Sequence, residues 1–360
     1  MRDVIVVGAG PAGSRYARRA AEDGLDVLVF EQGTIGEPLA CSGHVSTDVL
    51  EYVPEDDRAD LRQNEIYGAN FHLGGPDSRA YPFYKENVIS QVIDRVGLDQ
   101  TLADAASDAG ATVRDGHTVT EVDERADHVE VTVKGADGTE THRARLVAGC
   151  DGPQSRVRDA VGLPEPDELL HGVLGFDPAP DAGEFVDVHL NVPRFFAWRI
   201  PRGEAGVEYG LAAPPGESVG DRFDALTDAY GVETERRCSG LIPIGPPDSV
   251  TSDRVFLLGD AAAQTKPFTG GGIRYGMTAA DHAARTIDPA RPETLADYED
   301  AWRAELGREI RLGAWVRRGY SLPEPIQRVG LRLFSGQIGV HMDEPSSLFS
   351  RAQLRALFSR

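Results

Sequence analysis

At 360 residues, 41% of them hydrophobic, the chain is long enough to bury the cores of two closely packed domains. Its 58 acidic residues outnumber 37 basic ones, and Lys85, Lys134 and Lys266 are the only lysines, a balance that argues against nucleic acid as a partner. Cys41, Cys150 and Cys238 are odd in number and form no CxxC pair, so disulfides, a zinc site and a cysteine-held iron–sulfur cluster are not expected.

The N-terminal apolar stretch runs into a glycine loop and lacks a cleavage pattern. No apolar run approaches the ~18 residues of a membrane span. A reducing cytoplasm is therefore the expected compartment. The acidic, lysine-poor composition suits a cytoplasm at molar salt; GC-rich codon usage would leave the same arginine bias.

In chain order, residues 4–7 form a β-branched run that predicts a buried parallel strand. Gly8-Ala9-Gly10-Pro11-Ala12-Gly13 follows, then a helix over 14–23 and a second strand over 25–30 that ends at Glu31. Residues 88–109 read as one long helix closing at Gly110, followed by short strands at 112–114 and 118–122. A hairpin is expected from 129–133 to 141–146 across Asp137-Gly138, and a further sheet strand over 145–149 enters Cys150-Asp151-Gly152. The stretch 171–241 reads as mostly strands, at 172–176, 185–190, 195–200 and 206–212. Residues 254–258 form another buried strand, with helices after it at 271–286, 295–318, 325–334 and 348–358.

This order predicts an α/β fold: a Rossmann-type domain assembled from 1–65, 86–165 and 250–290, with a β-rich substrate domain (66–85 and 166–249) inserted in it. A C-terminal helical region over 291–360 completes the chain.

Gly8, Gly10 and Gly13 fit GxGxxG between a strand and a helix. The first glycine allows the tight turn, the second lets backbone approach a pyrophosphate, and the third lets helix and strand pack closely. The helix N-terminus offers unpaired N–H groups to phosphate. Glu31, at the end of the second strand, suits an adenosine ribose and repels a 2′-phosphate. Two later segments choose between NAD and FAD. One is Asp151-Gly152 after a strand, followed by Ser155 and Arg158. The other is Gly259-Asp260-Ala261-Ala262, where an acid at a strand end can bind a ribityl hydroxyl, a group that only a flavin nucleotide carries. FAD is the expected cofactor.

With these residues in view, the chain resembles the FAD-dependent geranylgeranyl reductase family, whose archaeal members saturate isoprenoid chains of membrane lipids. With the acidic composition, a haloarchaeal source fits. The resemblance rests first on Gly259-Asp260-Ala261-Ala262 and Lys266-Pro267-Phe268-Thr269-Gly270-Gly271-Gly272-Ile273. It implies that Asp260, Gly270, Gly271, Gly272 and Ile273 contact the flavin, with Ala12 beside the fingerprint glycines. Pro38-Leu39-Ala40-Cys41-Ser42-Gly43 implies that Cys41 and Ser42 lie beside the isoalloxazine, Cys41 being the candidate catalytic residue. Arg95, with Asp99, matches an arginine that helps bind the FAD phosphates, and Val119 a backbone contact on the adenine side. Phe196-Ala197-Trp198-Arg199-Ile200-Pro201 resembles the family's Tyr-x-Trp-x-Phe-Pro element, so Phe196 and Trp198 are candidate substrate residues. Phe196 and Ile200 depart from that element.

Other flavoproteins share parts of the pattern. Aromatic hydroxylases usually have Asn where Ile273 stands, followed by an Asp-Ala pair. Flavin halogenases carry Trp-x-Trp-x-Ile-Pro, whose second half Trp198, Ile200 and Pro201 match, but Lys85 stands in no context that marks it as their catalytic lysine. Hydroxylase, halogenase and non-catalytic flavoprotein stay open as alternatives at this point.

The resemblance implies a prenyl-lipid substrate. With a single dinucleotide fingerprint, electrons are expected from a transient donor: a ferredoxin, a reduced deazaflavin or NAD(P)H. Residues 301–360 hold ten arginines and five acids, whereas the remainder holds 27 basic and 53 acidic groups. In the helix expected at 348–358, Phe349, Leu354, Leu357 and Phe358 share one broad side flanked by Arg351 and Arg355, although Arg360 falls on the apolar side. That helix could touch a membrane surface peripherally or dock on the acidic body.

Overall fold

Residues 1–38, 41–336 and 346 are described by a computed structural model of the chain. The β-branched run near the N-terminus lies inside a seven-stranded sheet. Arg2–Val7 pairs in parallel with Val27–Phe30 on one side and Gly138–Gly149 on the other. Thr112–Arg114 extends the first edge, and Val255–Leu257 pairs in parallel with the end of Gly138–Gly149. Apart from Arg2 and Asp3 at the start of the first, the central strands are buried throughout, so they read as unbroken apolar runs. Gly138–Gly149 serves two partners. Its first half closes an antiparallel hairpin with Val129–Gly135, and its second half belongs to the parallel sheet. The strands expected at 141–146 and 145–149 are therefore one.

Helix Pro11–Glu22 packs between Arg95–Asp108 and Ile273–Thr286, with Leu295–Arg317 against the last of these. Leu295, Tyr298, Trp302, Leu306 and Ile310 are its main buried side chains, a spacing of three and four that keeps one stripe inward.

The helix expected over 88–109 is half right. Ser90–Ile93 is a strand, held between His44–Ser46 and Arg62–Ile66 in a three-stranded sheet. The helix begins at Arg95, where the Asp94 carboxylate accepts a hydrogen bond from Val96 N at 3.1 Å. Ile89, Val92 and Ile93 are β-branched and favour the strand, while the Asp cap marks the true start.

The second large sheet runs in the order Arg236–Ile244, Glu168–Asp177, Val207–Ala213, Ala197–Pro201, Phe185–His189, Gly68–His72, Ala80–Tyr84. Its pairs are antiparallel except that Phe185–His189 runs parallel to Gly68–His72. One face is covered by helix Val219–Tyr230, whose Phe223 and Leu226 join Val207, Tyr209 and Leu211 in a core. That helix was not expected from a stretch read as strands. Its signals are Val219, Phe223 and Leu226 at helical spacing, and Gly231 in the left-handed region at φ +69° just past its end. The other face of the sheet carries Phe196, Trp198, Glu208 and Gly210 toward the first domain.

After Leu295–Arg317, a short turn leads to helix Glu324–Phe334, which buries no side chain. The helix expected at 348–358 lies outside the described residues.

Candidate dinucleotide and substrate site

The glycine fingerprint is tied down by contacts that larger residues would break. Gly8 sits at φ +102°, and a Cβ there would meet the Cys150 carbonyl oxygen at 2.3 Å; one on Gly13 would meet the Gly8 oxygen at 2.1 Å. A Cβ on Gly10 would meet nothing within 4 Å. Backbone at Gly10 is thus open to close approach, as a pyrophosphate requires. Gly10 caps helix Pro11–Glu22 without a side-chain hydrogen bond, so first-turn N–H groups remain available to phosphate. Ala12 packs where that helix meets Gly259 and Gly276; a Cβ on either would come within 3.0 or 3.2 Å of the Ala12 methyl. The Glu31 carboxylate accepts from Ala9 N at 2.8 Å and Gln32 N at 2.9 Å, which fixes it at the strand end beside the loop. A carboxylate has acceptor capacity beyond these two bonds.

A second group of residues gathers around the turn that meets Ala12. Asp260 lies in the 3-10 turn Gly259–Ala262, and Gly270, Gly271 and Gly272 lead into helix Ile273–Thr286. Arg95 is buried and grips Asp99 with both terminal nitrogens, at 2.6 and 2.8 Å. Its Nε–H is buried without a hydrogen bond of good geometry. The guanidinium nevertheless lies near enough to Cys41 and Asp260 to act on both. Burial pushes the Cys41 thiol up and Arg95 opposes it, with the net result still upward, so the thiol stays protonated. Burial pushes the Asp260 carboxyl up to about 6, again against Arg95. The Cys41 thiol donates to the Ser42 carbonyl at 3.2 Å. Cys41, Arg95 and Asp260 thus form one electrostatic group. Leu39 and Ala40 of the same motif lie outside the described residues.

Asp151, Gly152 and Val119 occupy the other flank of the fingerprint. The Asp151 carboxylate accepts from Ser155 Oγ at 2.6 Å and Val157 N at 3.1 Å, at the start of helix Arg156–Ala160. Burial pushes Asp151 up and these bonds oppose it. Arg158, fully buried, donates to the carbonyls of Pro153 and Ala261, joining this turn to the Gly259–Ala262 turn. Val119 pairs with Val133 at a β-bulge, and its carbonyl accepts from Arg156 at 3.2 Å.

Over the glycine loop stands an aromatic wall. Phe195 and Phe196 stack at 4.4 Å, and Phe196 meets Trp198 at 5.9 Å and Tyr320 at 5.8 Å. A Cβ on Gly270 would lie 3.2 Å from both Phe195 Cζ and Ile242 Cγ2, so this wall rests directly on the loop. The strand expected over 195–200 begins only at Ala197, yet Phe196, just before it, packs with Trp198 against one cluster. Phe195, Ile242 and Tyr320 were not expected at the site. Tyr320 comes from the turn after Leu295–Arg317, and its hydroxyl donates to the Phe268 carbonyl at 2.8 Å. Nothing in the local sequence around Tyr320 marks that role. Lys266, seen in the sequence only as part of a motif, is buried against Gly271.

The open backbone at Gly10, the uncapped helix start, the fixed acid at Glu31 and the unpaired Arg95 Nε together fit a dinucleotide lying from the fingerprint to the Gly270–Gly272 loop. Comparison with known proteins agrees. A family described as an FAD binding domain matches residues 1–175. A digeranylgeranylglycerophospholipid reductase of Methanopyrus kandleri is 32% identical, over 86% of this chain and 84% of its own. One from Methanosarcina acetivorans is 31% identical, over 88% and 84%. Among solved structures, a geranylgeranyl bacteriochlorophyll reductase-like protein from Thermoplasma acidophilum superimposes with a TM-score of 0.85 at 22% identity, covering 99% of both chains. The p-nitrophenol 4-monooxygenase of Pseudomonas putida does so with 0.74 at 18%, over 100% of this chain and 97% of its own. At these identities the two structures share the fold: an FAD-binding domain with an inserted β-rich domain.

Proposed function

The chain belongs to the digeranylgeranylglycerophospholipid reductase family, and from that membership we propose that it reduces isolated C=C bonds of geranylgeranyl chains in isoprenoid lipids or their precursors. It is an FAD-dependent oxidoreductase. The observation that supports the substrate class is the aromatic wall of Phe195, Phe196, Trp198 and Tyr320, seated on the loop before helix Ile273–Thr286. A run of four packed rings suits an apolar chain.

In this reading the residues divide by role. Gly8, Gly10 and Gly13, with Ala12 behind them, bring backbone to the pyrophosphate; Glu31 takes the adenosine ribose. Val119, Asp151 and Gly152 frame the adenine side. Asp260 takes a ribityl hydroxyl, and Gly270, Gly271, Gly272 and Ile273 present backbone to the ring. Arg95 would help hold the phosphates, as the family resemblance implies, while holding charge beside Cys41. Ser42 fixes the Cys41 thiol. FAD held by these residues would, when reduced, supply hydride chemistry to one alkene carbon. Cys41 holds a proton at Sγ for the other, and Arg95 stabilises the thiolate left behind. The wall excludes water from the exchange.

Three further parts of the reading concern surroundings. The single dinucleotide fingerprint supports a transient electron donor: a ferredoxin, a reduced deazaflavin or NAD(P)H. The excess of acidic groups supports work at high salt in a cytoplasm. Among the described residues no helix is long and apolar enough to cross a membrane. We infer instead peripheral contact with anionic lipid through helix Glu324–Phe334, whose Ile326, Val329 and Leu333 are exposed. Residues 311–336 carry five arginines against one acid, Glu324, which complements such a surface.

The deciding experiment is anaerobic reduction of the bound flavin, followed by mixing with a geranylgeranyl lipid or with an aromatic acid plus oxygen. Reoxidation by the lipid with formation of saturated chains is expected. Hydroxylation of the aromatic acid, with no turnover of the lipid, would overturn the reading.

A further inference from the structure

Behind the aromatic wall lies a buried carboxylate that the reaction outlined above does not use. Glu208 is 0% exposed. It stands on strand Val207–Ala213, on the face turned toward the first domain, directly opposite Ile200 and diagonal to Trp198. One oxygen accepts from the Trp198 indole Nε1–H at 2.8 Å, and the other from Arg202 Nη1 at 2.9 Å. Arg202 is itself buried and stacks over the Phe176 ring at 5.0 Å. The indole lies across the neighbouring strand, where a Cβ on Gly210 would come within 2.4 Å of its ring. Only glycine at that position admits the indole in this orientation.

An ion pair in such a place is costly to desolvate, and two apolar residues would fill the space without that cost. Burial indeed pushes the Glu208 carboxyl up, with Arg202 and Trp198 opposing. What an apolar pair cannot do is hold a ring by its polar edge. The wall has two such anchors. Tyr320 is held at its hydroxyl by the Phe268 carbonyl, and Trp198 at its Nε1–H by Glu208, with Phe196 between the two rings.

We propose that Glu208 is a positioning residue: it fixes the Trp198 indole in one orientation, and that orientation decides how far a polyprenyl chain enters and which of its double bonds is presented for reduction. Arg202 opposes the cost of burying the carboxylate and aims it. The proposal rests on the prenyl reductase reading for its substrate, but the anchoring itself does not.

The test uses holoenzyme carrying Trp198→Phe, Glu208→Gln, Glu208→Leu and the double variant Trp198→Phe/Glu208→Leu. Indole N–H exchange, followed on 15N-tryptophan-labelled protein, reads the anchor without substrate; Trp198→Phe assigns the signal. Its exchange should quicken by about tenfold in Glu208→Leu, the scale of one lost hydrogen bond, and stay near the parent's in Glu208→Gln, which keeps an acceptor. With a geranylgeranyl lipid, Trp198→Phe and Glu208→Leu should shift the pattern of partly saturated products in the same way. KM should rise more than kcat falls, and the double variant should add little to either single change. Unchanged indole exchange in Glu208→Leu would overturn the anchor. A parental product pattern in Trp198→Phe would overturn its role in selecting the bond, and that variant keeps an aromatic ring and should fold. A Glu208→Gln variant that behaves like Glu208→Leu would overturn the proposal in favour of the ion pair alone. Failure of the parent enzyme to reduce any prenyl alkene would count against the functional reading, and the exchange measurement would still decide the anchor.

Discussion

Asp260 Oδ1 stands 2.6 Å from the point where a Cβ on Gly272 would lie. The two residues belong to different turns, one after strand Val255–Leu257 and the other before helix Ile273–Thr286. Gly272 has an ordinary φ of −115°, so the glycine is needed for contact and not for backbone freedom. Gly272→Ala must therefore push the carboxylate aside or move the loop. The expected result is a loss of FAD occupancy of about tenfold, the scale of one charge-assisted hydrogen bond, with thermal unfolding shifted by only a few degrees. The ratio of flavin to protein absorbance and a melting curve check both parts. Full flavin content in this variant would remove Asp260 from the ribityl site.

The same carboxylate predicts a pH dependence. Burial raises Asp260 to about 6, above the ordinary 3.8. A raised carboxyl stabilises the folded apoprotein in acid. That contribution is fully present below the unfolded value and is lost as pH rises through about 6. A ribityl hydroxyl donates best to the ionised form, which dominates only above that point. FAD affinity of the apoprotein should therefore fall by about tenfold per unit as pH drops below about 6, and Asp260→Asn should flatten the profile. Titration by flavin fluorescence quenching reads this. A flat profile in the parent protein would contradict it.

Cys41 has a thiol held up by burial, with Arg95 beside it. Cys41→Ala should keep FAD bound but slow alkene reduction by about 100-fold, the lower range for loss of a positioned acid. Cys41→Ser should fall between the two. Single-turnover reoxidation of the reduced flavin by lipid, with product analysis, separates chemistry from binding. Turnover and product pattern unchanged in Cys41→Ala would exclude the thiol from the reaction.

The parts of this site that could be read from the chain are those whose chemistry is local. Gly8, Gly10, Gly13 and Glu31 declare themselves because strand, turn, helix and acid follow one another within about thirty residues. Phe196 and Trp198 could be paired because residues two apart in an expected strand share a face. Tyr320 and Glu208 could not be found in this way. Tyr320 reaches the wall from the turn after a 23-residue helix, and Glu208 meets Trp198 only through the pairing of two strands. The strand Ser90–Ile93 was missed for the opposite reason: the helix after it is real, and its pattern hid the change of period at Asp94. Helix Val219–Tyr230 had sound end signals that were outweighed by strands on both sides.

The last prediction concerns how a lipid reaches the wall. Helix Glu324–Phe334 exposes Ile326 at 54%, Val329 at 56% and Leu333 at 60%, residues that fall on one stripe of a helical wheel. Trp315, 61% exposed, stands one turn before Tyr320, whose ring already touches Phe196. The outer surface and the inner wall are thus joined by one short stretch of chain. Arg332 borders the stripe on one side and suits anionic headgroups, while Arg328 pairs with Glu324. Salt decides how much the charges contribute. At ~1 M the Debye length is only ~3 Å, so attraction over distance is nearly gone and affinity must come from the apolar stripe. Ile326→Asp/Val329→Asp should therefore abolish flotation with anionic ether-lipid vesicles at high salt, while turnover of a detergent-dispersed substrate continues. A chain ending at Gly336 tests the other expectation, that the segment with Phe349, Leu354, Leu357 and Phe358 makes the contact. If the Glu324–Phe334 helix is the docking element, that shortened chain floats as the full one does. Equal flotation of the parent and the double variant, or none by either, would sink the idea.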